Sequence, residues 1–154
     1  MAYRKDAWSL MGSDILVDVA EDQPGLWGRR TLLLARFQHK ASGKTVLLAN
    51  HHGPLVVGSG GICGGKATAW NILRAIAEHV QADDSIVLMG DFNAEAHSEA
   101  VRTLDDYLNR HYTGVSFNGV DHIFSSCDAT HIKEKKNLGG GGSDHDALAE
   151  IMTI

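Results

Sequence analysis

The amino-acid sequence predicts a mixed α/β (α+β) domain, with a mixed, largely antiparallel sheet that carries helices on one face. Short apolar runs bounded by turn residues alternate with two segments of helical periodicity, which gives the order β-β-α-β-α-β-β. Only a turn signal separates the first two runs, and such spacing is typical of a hairpin. The 154 residues contain no internal repeat and no linker, so a single domain over residues 1–154 is expected.

The individual elements follow from local pattern. Strands are predicted where apolar residues run between turn residues, at Thr31–His39, Thr45–Asn50, Ile86–Met89, Val120–Phe124 and Ala147–Ile154. Apolar residues at helical spacing predict a helix over about 67–81 and a second, capped by Ser98, over about 98–109. The segments Asp18–Pro24 and Lys133–Lys136 lack either pattern, and we predict a loop and a solvated turn there.

The Gly-rich segment Gly60–Ala67 nearly has the spacing of a phosphate-binding P-loop. However, Ala67 stands where that loop needs a hydroxyl to bind Mg²⁺. The sequence therefore predicts a flexible loop that passes close to the site rather than a nucleotide triphosphate site. The free N–H groups at the start of the following helix could still bind an anion.

Composition restricts the class of protein. The hydrophobic fraction of 44% and charged fraction of 21% are ordinary for a globular domain, and the net charge of −5 argues against a broad basic nucleic-acid surface. No apolar run approaches the roughly 18 residues that span a membrane, and no signal peptide is evident. Cys63 and Cys127 are too few for a disulfide framework, so a cytoplasmic, reducing location is expected, with one bridge left open.

Polar side chains collect at the ends of four predicted strands. These segments are Asn50–Gly53, Gly90–Asn93, Asp121 and Ser143–His145. Gly90 lets the backbone turn there or lets a ligand approach closely. Singly, each segment is compatible with an ordinary turn or a surface histidine. Together they offer carboxylate and amide oxygens for a hard cation and imidazoles for proton transfer.

In order and approximate spacing, the four segments resemble the motifs of the endonuclease/exonuclease/phosphatase family, whose fold is that of deoxyribonuclease I. The turn at Ser42–Lys44 and the segment Tyr3–Asp6 are also similar to that family. The resemblance covers nearly the whole chain. It implies a four-layer sandwich of two helix-covered sheets, of which this chain would form one half.

The resemblance also implies roles for five residues in hydrolysis of a phosphoester by in-line attack of water. His145 is similar to the catalytic histidine at the phosphate, and Asp121 to the carboxylate that orients it. Asp91 is similar to the residue that positions or deprotonates the water. Asn93 would contact an oxygen of the pentavalent phosphorane, and His52 would bind the phosphate opposite the leaving group.

A divalent cation is implied in the same way. Asp144, together with Asp91, resembles the metal-binding carboxylates. Oxygen ligands favour Mg²⁺ or Mn²⁺ over Zn²⁺, because neither cysteine lies in a zinc-type spacing. The implied substrate is a phosphoester; nucleic acid, phospholipid and small phosphoesters all stay open.

The chain also departs from the family pattern. The family's Asn and metal-binding Glu precede the segment that resembles Tyr3–Asp6, and no counterpart is found here; Glu21, in the predicted loop, is not assigned to that role. His51 stands where Thr is usual, and His122 where an aromatic residue is common. We therefore expect a truncated domain whose exposed inner sheet face packs in a homodimer. The alternatives are an active enzyme, a non-catalytic homodimeric binding protein, and a fragment completed by another chain.

Overall fold

The computed structural model describes residues 1–154, which form a seven-stranded sheet, a separate two-stranded sheet and two helices. The large sheet consists of β1 (Trp8–Leu10), β2 (Ile15–Glu21), β3 (Arg29–His39), β4 (Thr45–His51), β5 (Asp84–Asp91), β6 (Asn109–Thr113) and β7 (Asp121–Ser125). The other elements are α1 (Gly65–His79), α2 (Glu99–Asp105), β8 (Ile132–Asn137) and β9 (Leu148–Met152). The predicted fold class is confirmed.

The strand order brings three strand ends together. The order is β1-β3-β4-β5-β7-β6, with β2 also paired to β3, and every pairing is antiparallel except that of β4 with β5. Because α1 is the crossover between these two parallel strands, both end at the same sheet edge. The antiparallel strand β7 begins there, with Asp91 opposite Asp121.

Both helices pack on one face of the large sheet. Leu32, Leu34 and Leu88 are fully buried there against Ile72 of α1 and Leu104 of α2. Ser98 caps α2 as predicted, since its Oγ accepts the N–H of Val101 at 3.2 Å. Burial of this continuous apolar surface is the main stabilising contribution to the domain.

The opposite face is only partly covered. The hairpin of β8 and β9 lies against it and leaves a groove of about 520 Å³. Apolar residues from both sheets line the groove, among them Trp8, Phe37, Leu48, Met89, Ile123, Leu148 and Met152.

The structure corrects three local predictions. The first part of the predicted loop Asp18–Pro24 belongs to strand β2. The pairing of β2 with β3 has a register shift between Asp18 and Ala20. The predicted solvated turn Lys133–Lys136 lies in β8, a charged strand that pairs only with β9. The second helix is shorter than predicted, because the chain enters β6 at Asn109. No helix has the length and apolar character needed to cross a membrane.

Candidate active site

The candidate site lies where β4 and β5 end and β7 begins. The N–H of Gly53 donates to the carbonyl of Asp91 at 2.7 Å, and the N–H of Phe92 donates to Val120 at 2.8 Å. Gly90 has a φ of 150°, and a Cβ at this position would lie 1.9 Å from the carbonyl oxygen of His51. The close neighbour that requires glycine here is therefore the backbone of β4.

His145 and Asp121 form a hydrogen-bonded pair. Nδ1 of His145 donates to Oδ2 of Asp121 at 2.8 Å, and both side chains are largely shielded from solvent. This hydrogen bond is the main cause that raises the pKa of His145, and the charges of Asp121, Asp91 and Asp144 raise it further. The imidazolium form is therefore more stable than in an ordinary histidine, and the other ring nitrogen, Nε2, faces the carboxylate of Asp91.

The carboxylate of Asp91 lies between two imidazoles. Its Oδ1 accepts the N–H of Asn93 at 2.7 Å, which fixes the carboxylate in an Asx-type turn. Its Oδ2 lies 3.5 Å from Nε2 of His52 and 3.7 Å from Nε2 of His145. His52 is exposed, so its free edge faces solvent. The structure thus brings His52, Asp91, Asp121 and His145 together.

Asn93 is built into the same turn. Its φ of 46° is left-handed, a conformation that Asn tolerates better than most residues. Its side chain is buried, and Nδ2 donates to the carbonyl of Gly53 at 2.9 Å. One amide hydrogen is thereby used to hold the chain after β4, which leaves the other for a ligand.

One group of side chains has the composition of a cation site. Donor atoms of Asp91, Asp121 and His145 lie within 4.8 Å of one another. Two carboxylates suit a hard divalent cation that keeps several of its waters. Asp144, the other metal ligand expected from the sequence, is exposed and does not belong to this group.

The two histidines that depart from the family pattern are buried beside the site. His122 lies against Phe92 and Phe124, so it occupies an aromatic position, and both ring nitrogens have partners in Ala94 and Thr113. His51 bonds through Nδ1 to the carbonyl of Thr31, but its Nε2 is buried without a partner. Burial lowers the pKa of His51 to about 4, so this ring is neutral at physiological pH.

The Gly-rich loop adjoins the site through its backbone. The N–H of Gly58 donates to the carbonyl of Asn93 at 2.6 Å. At the start of α1, the N–H of Lys66 donates to the carboxylate of Glu99 at 3.3 Å. One of the donors that the sequence offered to an anion is therefore occupied by the protein's own acidic residue.

Phe117 is a neighbour of the site that the sequence analysis missed. Its ring centroid lies 4.7 Å from that of His145, with an angle of 35° between the ring planes. The residue sits in the short turn Ser116–Asn118 between β6 and β7. No motif or periodicity identifies it, because the contact joins loops that are distant in sequence.

Comparison with known proteins places this chain in a family. The sequence profile of the Endonuclease/Exonuclease/phosphatase family matches residues 17–145. Because this match covers most of the chain, the protein belongs to that family. No curated protein sequence matches the chain.

Similar folds occur among solved structures. An endonuclease/exonuclease/phosphatase from Bacteroides vulgatus is 23% identical with a TM-score of 0.74, over 96% of this chain and 67% of that one. A mannosyl-6-phosphatase from Bacteroides thetaiotaomicron is 17% identical with a TM-score of 0.75, over 99% and 69%. TDP2 from D. rerio, in complex with a single-strand DNA product, is 15% identical with a TM-score of 0.64, over 94% and 68%. The chain thus spans about two thirds of each.

Proposed function

We propose that the protein is a metal-dependent phosphoesterase that hydrolyses its substrate by in-line attack of water. The observation that carries the proposal is the carboxylate of Asp91 between the imidazoles of His52 and His145, with His145 oriented by Asp121. Family membership supports it, as do the names of two structural neighbours, a phosphatase and a protein bound to a DNA product.

Each side chain has a role that its position supports. Asp91 orients the attacking water and accepts its proton, since Oδ2 is the oxygen not used by the Asx turn. His145, whose pKa is raised by the hydrogen bond to Asp121, stabilises in its protonated form the charge that develops on the phosphoryl oxygens. His52 contacts the phosphate from the exposed side, and the spare amide hydrogen of Asn93 donates to an equatorial oxygen.

Asp91, which belongs to the observed group of donor atoms, would hold the cation, Mg²⁺ or Mn²⁺, while Asp121 remains paired with His145. The family resemblance adds Asp144 as a second ligand; it lies outside that group, although its charge contributes to the raised pKa of the neighbouring His145. When bound, such an ion neutralises charge on the phosphoryl group. The net charge of −5 favours a small phosphoester over a long nucleic acid, because extended phosphate backbones bind mainly through Lys and Arg. Cys63 and Cys127 are both free, which supports a reducing, cytoplasmic location.

The test is hydrolysis of bis-p-nitrophenyl phosphate by the purified protein with Mg²⁺, and again after chelation. Wild type should be active with Mg²⁺, and the rate of hydrolysis by His145→Ala should be lower by roughly 10²–10⁴-fold. His97→Ala is the matched control, because that imidazole is exposed and outside the site. Equal rates for wild type and His145→Ala would overturn the proposal, and a rate unchanged by chelation would overturn its metal dependence.

The open groove favours a second candidate, a non-catalytic homodimeric binding protein. Arg4 and Glu150 are the charged residues that line the otherwise apolar groove, and they have opposite signs. Both carboxylate oxygens of Glu150 are buried without a partner, and burial raises the pKa of this group. A second copy of the chain packed on this face would cover the apolar lining of the groove.

Sedimentation equilibrium distinguishes the two candidates. The binding-protein candidate requires an inactive dimer. Leu48→Asp, a substitution within the groove, should dissociate that dimer. Val115→Asp, a substitution on an exposed turn, should leave the dimer intact. A wild-type monomer at micromolar concentration would exclude this candidate.

A further inference from the structure

We propose that Phe117 is a positioning residue of the active site, whose ring holds the imidazole of His145 in the orientation that bonds Asp121. The catalytic consequence of this role rests on the proposed function, but the role itself can be observed without substrate. Phe117 would act through His145 and needs no contact with the phosphoester.

Contacts of two different kinds fix the His145 ring. The hydrogen bond from Nδ1 to Asp121 lies in the plane of the imidazole, at 2.8 Å. Rotation of the imidazole about its Cβ–Cγ bond would move Nδ1 away from Asp121, and this hydrogen bond restrains the ring at one edge only. The Phe117 ring covers a face of the imidazole at 4.7 Å between centroids, and this contact opposes the rotation.

The backbone at Phe117 is strained in a way that burial does not explain. Its φ and ψ are 45° and 47°, and the next two residues, Asn118 and Gly119, also have positive φ. A left-handed conformation at a non-glycine residue costs on the order of 1–3 kcal/mol. Since the residue is 56% exposed, its own burial offsets little of that cost. The aromatic contact that this conformation provides is the one with His145.

Hydrogen bonds tie the turn to both partners of the ion pair. Ser116 Oγ accepts the N–H of Asp146 at 2.9 Å, next to His145. At the other side, the N–H of Gly114 donates to the carbonyl of Asp121 at 2.8 Å. Phe117 is therefore held at a fixed position relative to the two residues whose geometry it would set.

The experiment compares Phe117→Leu, which removes the ring and keeps an apolar side chain, with Phe117→Tyr, which restores a ring. The direct measurement is the proton chemical shift of the His145 ring in the free protein. Wild type and Phe117→Tyr should show the ring-current displacement, and Phe117→Leu should lose it. Val115→Ala is the matched control, because Val115 lies beside the same turn and is exposed. Thermal unfolding verifies that each variant is folded.

The second measurement is steady-state hydrolysis with Mg²⁺. Phe117→Leu should lower kcat by roughly ten- to a hundredfold with little change in KM, because a misplaced catalytic group weakens the chemical step more than binding. Phe117→Tyr should remain close to wild type. A raised KM with unchanged kcat would overturn the positioning role in favour of direct substrate contact.

An unchanged His145 chemical shift in Phe117→Leu would overturn the inference whatever the rates. If wild type hydrolyses no phosphodiester, the proposed function fails, yet the chemical shifts still decide whether Phe117 orients His145. The two failures are therefore distinguishable.

Discussion

Asp121 accepts a hydrogen bond of 2.8 Å from Nδ1 of His145, although 24 positions separate the two residues in the chain. Asp121 is placed by its pairing opposite Asp91 at the start of β7, whereas His145 lies in the connection between β8 and β9. The sheet thus supplies one partner and a loop the other, and the hydrogen bond fixes Nδ1 of His145 as the protonated ring nitrogen that faces Asp121.

The first prediction concerns the charge of Asp121. Asp121→Asn should return the pKa of His145 toward its ordinary value, because the carboxylate is the main cause of the increase. Hydrolysis should fall by roughly 10²–10⁴-fold. NMR titration of the His145 ring and steady-state rates provide the two measurements. Asp83→Asn is the control, because Asp83 is exposed and precedes the start of β5, at the opposite end of that strand from the site. A His145 pKa that stays raised in Asp121→Asn would contradict this account.

The second prediction concerns a buried ion pair. Asp22 is fully buried and accepts both Nε and Nη2 of Arg30 and the backbone N–H groups of Trp27 and Leu55. Asp22→Ala should therefore lower the free energy of unfolding by about 3–5 kcal/mol, because Arg30 keeps its charge without a partner. Asp18→Ala, which removes an exposed pair, should cost no more than about 1 kcal/mol.

Urea unfolding at neutral pH measures both variants. The hydrogen bond from Arg30 lowers the pKa of Asp22, so its contribution is present above the ordinary carboxyl pKa and is lost as the pH falls through the lower, folded-state pKa. Equal losses of stability for the two variants would be inconsistent with this interpretation.

The third prediction concerns Gly90. Gly90→Ala should destabilise the protein by at least about 3 kcal/mol, because the added Cβ would lie 1.9 Å from the His51 carbonyl and neither strand can move freely. Gly43→Ala is matched for positive φ but has no atom within 4 Å of the new Cβ, so its cost should be about 1–2 kcal/mol. Chemical denaturation compares the two; similar values would show that φ alone, and not the close approach, determines the cost.

The fourth prediction is a pH dependence from His51. Its pKa is about 4 when folded and 6.5 ordinarily, so between these values the unfolded chain binds a proton that the native state does not. Above pH 6.5 His51 is neutral in both states, and the free energy of unfolding is not reduced by its titration. As the pH falls to 4, the free energy of unfolding should decrease by about 3 kcal/mol.

His51→Asn keeps a donor for the Thr31 carbonyl and removes the titration. The free energy of unfolding of wild type relative to this variant should rise with pH across that window and be flat above it. A difference that does not depend on pH would show that the pKa of His51 is the same in the folded and unfolded states, and would contradict this prediction.

Most of the helix-covered sheet could be predicted from sequence, because periodicity is a local property. The run Ile86–Met89 and the cap at Ser98 need only a few neighbours to be interpreted. Four strands were not predicted. β2 carries apolar residues, but its end was assigned to the predicted loop Asp18–Pro24. β1 has three residues, β6 is short and polar, and β8 is charged, so none of these shows a clear apolar pattern. Such strands form because a partner strand offers hydrogen bonds, and that partner is distant in the sequence.

The sequence by itself determined the residue types of the site and their order. Asp91, Asn93 and His145 lie in short motifs next to predicted strands, and a local pattern is enough to recognise them. Only the tertiary structure decided which of them meet. It pairs His145 with Asp121, places Asp91 between two imidazoles and leaves Asp144 outside the group of donor atoms. It also brings Phe117 onto His145. The physical reason is that side-chain distances of 3 to 5 Å depend on how strands register and loops close, and no local pattern encodes those.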